Sequence, residues 1–303
     1  MESISAQIKN PDPFCCDLSQ KAGELLAGTA PFVKTWFLLE YTTTWNHKAT
    51  EQNDLPQPVQ AWLNAQLALA PDSRLLFIKQ NRPAGATGLT FFVALSHETA
   101  PRLFRFPVDD YESLTSLDLS AVLTGDPASG TNLHGEPIIL VCTNGKRDRC
   151  CAREGPALYQ AIADFAGDRA WQCTHLGGHR FAPTLVTLPD GAFYGRLTPA
   201  EAGSFVKAYD QGELFLEKLR GRCIYDPVSQ AAEQFLRRET GLRQRASYAW
   251  QGTEALDDKR WAVTFRGADG QSRRIIVIQE APVERLVSCN PLKTKAVAHF
   301  RSG

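Results

Sequence analysis

Between Cys142 and His179 the chain gathers four of its eight cysteines and two of its six histidines into 38 residues. Any fold for this sequence must bring side chains with metal and redox chemistry to one place, and the flanking residues say how. Pro137 to Val141 is an unbroken apolar run, which predicts a buried strand over 137–142 with Cys142 delivered to the loop that follows. That loop holds Asn144, Gly145 and the basic residues Lys146, Arg147 and Arg149. Cys150 and Cys151 come next, ahead of a helix predicted over 154–166 from the spacing of Leu158, Ile162 and Phe165. A second short strand is expected near Trp171 to Thr174, and His175-Leu-Gly-Gly-His179 leaves its end. Two neighbouring strand ends of one parallel sheet would set these loops face to face.

Two thiolates and two imidazoles suit tetrahedral zinc, and they also suit a 2Fe-2S cluster in which histidines replace two cysteines. Zinc fingers separate their cysteines by about two to four residues, whereas eight lie between Cys142 and Cys151. The wide loop fits the bulkier two-iron group, but spacing leaves both open. Gly177 and Gly178 permit close backbone approach. Cys150 and Cys151 could instead form a redox-active pair, their thiolates favoured by Lys146, Arg147 and Arg149. Cys173 reads as a small buried hydrophobe within its strand. Arg147 and Asp148 either pair across the loop or act beside the site.

The pattern Cys142-x-x-Gly-x-Arg147-Asp148-x-x-Cys151 followed by His175-x-Gly-Gly-His179 resembles the signature of the sucrase/ferredoxin-like family, also described as thioredoxin-like ferredoxins. The resemblance extends to Leu26–Pro31, Tyr194–Arg196, Leu219–Arg222 and Gln230–Glu233. It implies a 2Fe-2S cluster ligated by Cys142, Cys151, His175 and His179. Anchoring on Arg147-Asp148 selects Cys151, with Cys150 as its rival. Many relatives have a histidine where this chain has Asn144, a difference expected beside the ligands and not among them.

The rest of the chain reads as α/β. A strand (35–41), a helix (58–69), three strands (74–79, 89–96, 102–107) and a helical segment (111–123) precede a linker-like stretch, Gly125 to Asn132. The same order then returns: strand 137–142, helix 154–166, strand 170–174, hairpin strands 184–188 and 192–196, helix 198–209. We expect tandem thioredoxin-like units, 1–130 without a cofactor and 131–222 bearing the cluster, then a small α+β module over 223–303. Within that module Gln230 to Arg238 is amphipathic, with Arg237 and Arg238 expected outside, and the runs 246–251, 260–266 and 273–279 are strands. Residues 1 to about 30, with Cys15 and Cys16, read as an irregular arm in which burial of the two cysteines is the expected role.

Thirty-three basic against thirty-three acidic residues give no net charge, which argues against a nucleic-acid partner. No apolar run reaches a membrane span. The amino-terminal residues lack a signal peptide's basic start and apolar core, so the expected location is the cytoplasm. Clustered cysteines in a reducing compartment point to metal or redox work. No nucleophile elbow, phosphate loop or dinucleotide fingerprint is present. The expectation is therefore an electron carrier with a pH-dependent potential and redox protein partners, more than a catalyst with its own substrate. A thiol-disulfide oxidoreductase using Cys150 and Cys151, or a structural zinc module, are the alternatives.

Overall fold

The structure, a computed structural model, describes residues 13–81, 87–125, 130 and 132–303. Helix α1 (Cys15–Lys21) is followed by strand β1 (Thr35–Glu40), helix α2 (Gln57–Leu69) and strands β2 (Ser73–Lys79), β3 (Leu89–Leu95) and β4 (Arg102–Val108). After the short helix α3 (Ser120–Leu123) come β5 (Ile138–Cys142), α4 (Arg149–Ala166), β6 (Ala170–Cys173), β7 (Thr184–Leu188), β8 (Ala192–Gly195), α5 (Ala202–Asp210) and β9 (Leu219–Arg222). Helix α6 (Pro227–Thr240) leads into β10 (Tyr248–Asp257), β11 (Arg260–Gly267), β12 (Ser272–Gln279), β13 (Val283–Cys289), β14 (Leu292–Val297) and β15 (Phe300–Ser302).

Strands β1 to β9 form one mixed sheet in the order β4-β3-β1-β2-β6-β5-β7-β8-β9. Within it β1 runs parallel to β2 and antiparallel to β3, which pairs antiparallel with β4. The same pattern recurs in β5, parallel to β6 and antiparallel to β7, which pairs antiparallel with β8. The two sets meet where β2 and β6 pair antiparallel, through Ile78 with Cys173 and Lys79 with Gln172. β1 is buried along its whole length, its apolar residues Trp36 to Leu39 lying between Thr35 and Glu40, as a strand in the middle of a covered sheet must be.

Alternation along the strands separates the cores. Trp36 and Leu38 of β1, Leu140 and Cys142 of β5, and Trp171 and Cys173 of β6 share one core that spans both halves. On the opposite face Phe37 and Leu39 pack with Val59 and Leu63 of α2, while Ile139 and Val141 pack with Leu158 and Ile162 of α4 and Phe205 of α5. A four-stranded sheet, β10-β11-β12-β15, packs Val263, Phe265 and Val277 against Ala231, Ala232 and Leu236 of α6. β13 and β14 form a separate hairpin.

Several expectations change. Residues 15–21 are helical and not irregular, because Cys15, Cys16 and Ser19 share a buried face. The segment expected as one helix over 111–123 is broken into a 3-10 turn, Glu112–Ser116, and α3, since Asp110 and Asp118 each start a turn of their own by accepting the amides of Ser113 and Ser120. α4 starts at Arg149, five residues earlier than expected, because the Asp148 side chain caps it by accepting from Cys150 N at 2.8 Å. Its buried face runs through Leu158, Ile162 and Ala166, leaving Phe165 exposed. Arg237, expected outside, is fully buried against Glu233. The stretch expected as a linker falls largely on residues outside those described.

Candidate metal centre

β5 delivers Cys142 to its carboxyl-terminal end, where it pairs in register with Cys173 of β6. The loop from Thr143 to Asp148 then turns the chain into α4, whose first turn carries Cys151 back over the strand end. The sulfurs of Cys142 and Cys151 lie 3.5 Å apart. α4 comes this close because Gly155 has no side chain: a Cβ there would stand 2.2 Å from the carbonyl oxygen of Cys142.

The second loop hangs from two arginines, Arg220 buried and Arg74 partly buried. Arg74 of β2 donates to the carbonyls of Leu176, at 2.9 Å, and His175. Arg220 of β9 donates to the carbonyl of Gly177 at 3.0 Å and to the carbonyl and hydroxyl of Thr29. Burial, with Arg180 and Arg74 nearby, pushes the Arg220 guanidinium down to about 9, so it stays charged at neutral pH. The glycine pair has its reason here. Gly178 has φ +72°, and a Cβ on it would lie 2.4 Å from Arg220 Nη2, so glycine makes room for the arginine that holds the loop.

Held this way, His175 and His179 bring Nε2 of the first and Nδ1 of the second to 3.3 Å. The other nitrogen of each, Nδ1 of His175 and Nε2 of His179, is buried without a hydrogen-bond partner. His179 Nε2 stands 3.4 Å from Asp148 Oδ2. Burial lowers the His179 pKa, with Asp148 opposing it. The ligand atoms of Cys142, Cys151 and His175 all lie within 4.8 Å of one another. Within the cysteine pair, Cys142 is the acceptor: hydrogen bonds from Cys151 and His175 hold its pKa well below the ordinary thiol value against the cost of burial, while Cys151 is pushed well above it.

All four residues singled out from the sequence are thus neighbours, and Cys150 parts from them. Its sulfur lies 3.4 Å from that of Cys15 and 3.6 Å from that of Cys289. Cys173 is buried in the shared core. Arg147 reaches the His47 ring at 3.2 Å, Asp148 turns inward, and the Asn144 amide donates to the carbonyl of Asn46. His175 and Arg147 also line a cleft of about 470 Å³ with His47, Lys48 and Arg74. From the sequence, Asp148 was expected either to pair with Arg147 or to act beside the site, Arg220 was marked only within the family segment Leu219–Arg222, and Arg74 was not singled out. Their partners lie far along the chain, and an isolated arginine in a strand carries no local signal.

Among solved structures, the chain is similar to the thioredoxin-like [2Fe-2S] ferredoxin from Aquifex aeolicus. A cysteine-to-serine variant matches at 20% identity over 28% of this chain and 97% of that one, with a TM-score of 0.25. The structure of that ferredoxin itself matches at 20% identity over 27% of this chain and 88% of its own, with a TM-score of 0.24. A likeness this slight places no ligand here. Among curated proteins, "Altered inheritance of mitochondria protein 32" of Meyerozyma guilliermondii is 29% identical over 97 residues, 28% of this chain. The match spans only 34% of that protein's length. Broader agreement comes from the family model described as sucrase/ferredoxin-like, which matches residues 26–221, well over half of the sequence, and the chain belongs to that family.

Proposed function

We propose that this protein is a one-electron carrier with a 2Fe-2S cluster held by Cys142, Cys151, His175 and His179. One observation carries the reading: two sulfurs 3.5 Å apart and two imidazole nitrogens 3.3 Å apart converge in a buried recess. Two thiolates on one tetrahedral metal at about 2.3 Å stand about 3.8 Å apart, and two imidazoles at about 2.05 Å stand about 3.3 Å apart. The ring nitrogens turned away from this convergence, Nδ1 of His175 and Nε2 of His179, are the ones that would carry the N–H of a neutral imidazole ligand. When bound, such a cluster takes up and returns one electron, at a potential that histidine ligation raises above an all-cysteine centre.

The chain's own residues supply the rest. Arg74 and Arg220 fix the histidine loop through its carbonyls and place positive charge beside it. Asp148 stands beside the far nitrogen of His179 and orients the ring. His175, half-buried on the wall of the cleft, is the edge that a redox partner protein would approach. A neutral imidazole ligand keeps an N–H, so this reading includes a potential that varies with pH. We read the two repeated strand patterns as thioredoxin-like units over 1–130 and 131–222, with 223–303 as a further module and the cytoplasm as the compartment. A thiol-disulfide role for Cys150 and Cys151 is the weaker reading, because the two buried sulfurs face different partners, Cys150 towards Cys15 and Cys151 towards Cys142.

Anaerobic purification decides between iron and zinc. The expected result is a red-brown protein with iron and acid-labile sulfide in equal amounts and a paramagnetic signal on reduction. Zinc alone, or neither iron nor sulfide, would overturn the proposal.

A further inference from the structure

Beyond the recess just described, three cysteines that it does not use meet on the other side of the α4 N-terminus. Cys15 comes from α1, Cys150 from the first turn of α4 and Cys289 from the end of β13. Cys150 Sγ lies 3.4 Å from Cys15 Sγ and 3.6 Å from Cys289 Sγ. A carboxylate oxygen of Asp148 belongs to the same group, whose ligand atoms all lie within 4.8 Å of one another, and all four residues are buried.

We propose that Cys15, Cys150, Cys289 and Asp148 form a second metal site, for a single thiophilic divalent ion of the zinc type. A disulfide does not fit. It needs sulfurs about 2.05 Å apart and selects one pair, whereas Cys150 stands almost equally far from two partners. Sulfur separations of 3.4 and 3.6 Å approach the value of about 3.8 Å set by a shared tetrahedral ion with 2.3 Å bonds. An iron-sulfur cubane, with four metals between its ligands, would spread them further. Main-chain amides also treat these sulfurs as acceptors: Cys15 N donates to Cys289 Sγ at 2.9 Å, and Cys16 N to Cys150 Sγ at 3.4 Å. That is the polarity of a thiolate.

Asp148 is already oriented for the fourth position. Its oxygens accept from Cys150 N at 2.8 Å and Cys289 N at 2.9 Å, which leaves lone pairs on a carboxylate that is fully buried. The positive end of α4 faces the same point and favours the excess negative charge. Two of the thiolates come from outside the family-matched residues 26–221, so the ion would bind the two ends of the chain to the start of α4. The site is independent of the cluster reading in its ligands and shares with it only the position of Asp148.

Metal analysis of the full-length protein tests this. The expected content is one zinc per chain in addition to the iron, and Cys15→Ser and Cys289→Ser each lose that zinc while iron and sulfide stay at wild-type amounts. If the cluster reading fails and zinc sits at Cys142 and Cys151 instead, the wild type holds two zincs and each variant one, so the two failures remain distinct. Alkylation of the wild type needs no variant: Cys15, Cys150 and Cys289 become reactive together once a zinc chelator is added, and not before. A wild type without such an ion, zinc retained in both variants, the same labelling with and without chelator, or a Cys15–Cys150 disulfide found by mass spectrometry would each overturn the proposal.

Discussion

Gly178 shows how much one position can decide. Its left-handed φ of +72° and the 2.4 Å between its missing Cβ and Arg220 Nη2 act together. Gly178→Ala should cost about 1–2 kcal/mol for the backbone alone, read as a lower urea midpoint, and by displacing Arg220 should also lower iron content. Unchanged iron content would mean that Arg220 does not hold the histidine loop. At the neighbouring histidine, His179→Cys should keep the cluster and lower its potential, since a thiolate adds negative charge; an unchanged spectrum and potential would refute ligation by His179. The cysteines and histidines were legible because their types are scarce and their spacing is short. Asp148 was legible only as part of a motif, since the contact that shows its inward role is to the amide of Cys289, 141 residues away.

Helix α6 carries a buried charge network at the scale of an element. Glu233 pairs with Arg222 at 2.7 Å and with Arg237 at 3.0 Å, all three side chains buried. Burial pushes the Glu233 pKa up, but the two guanidiniums outweigh it and hold the carboxylate below its ordinary value. The folded pKa is therefore depressed, so this stability is present above the unfolded value of about 4.3 and is lost as pH falls through the folded value. Melting temperature should fall on acidification below about pH 4 in the wild type. Glu233→Gln should cost about 3–5 kcal/mol at neutral pH and melt with a flatter acid dependence; an equally steep slope would remove Glu233 from the account. From the sequence, α6 was found by its apolar spacing, yet Arg237 was assigned to solvent because periodicity cannot show a buried counter-charge. α4 was found late for a related reason: Gly155 and Pro156 blur the helical signal over the turns that matter most.

In the whole molecule, the core on one face of the nine-stranded sheet runs from Trp36 to Phe193 without a break at the β2–β6 seam. Trp36 is fully buried, with its indole N–H on Ser96. Trp36→Ala should cost about 3–5 kcal/mol and lower one common unfolding transition for residues on both sides of the seam; two separate transitions, with only the first shifted, would show independent halves. The succession of strands and helices within each half was readable from apolar runs and their spacing, though not the order of strands in the sheet. The seam was not, since only two residue pairs make it. The hairpin of β13 and β14 and helix α1 pack over the start of α4 through Leu286, Cys289, Cys15 and Cys16. Ribosomal synthesis releases the loops bearing Cys142 to His179 long before that hairpin emerges. A nascent chain therefore holds both loops before the strands that pack over the start of α4 have emerged, so this cover is laid down after the residues it covers.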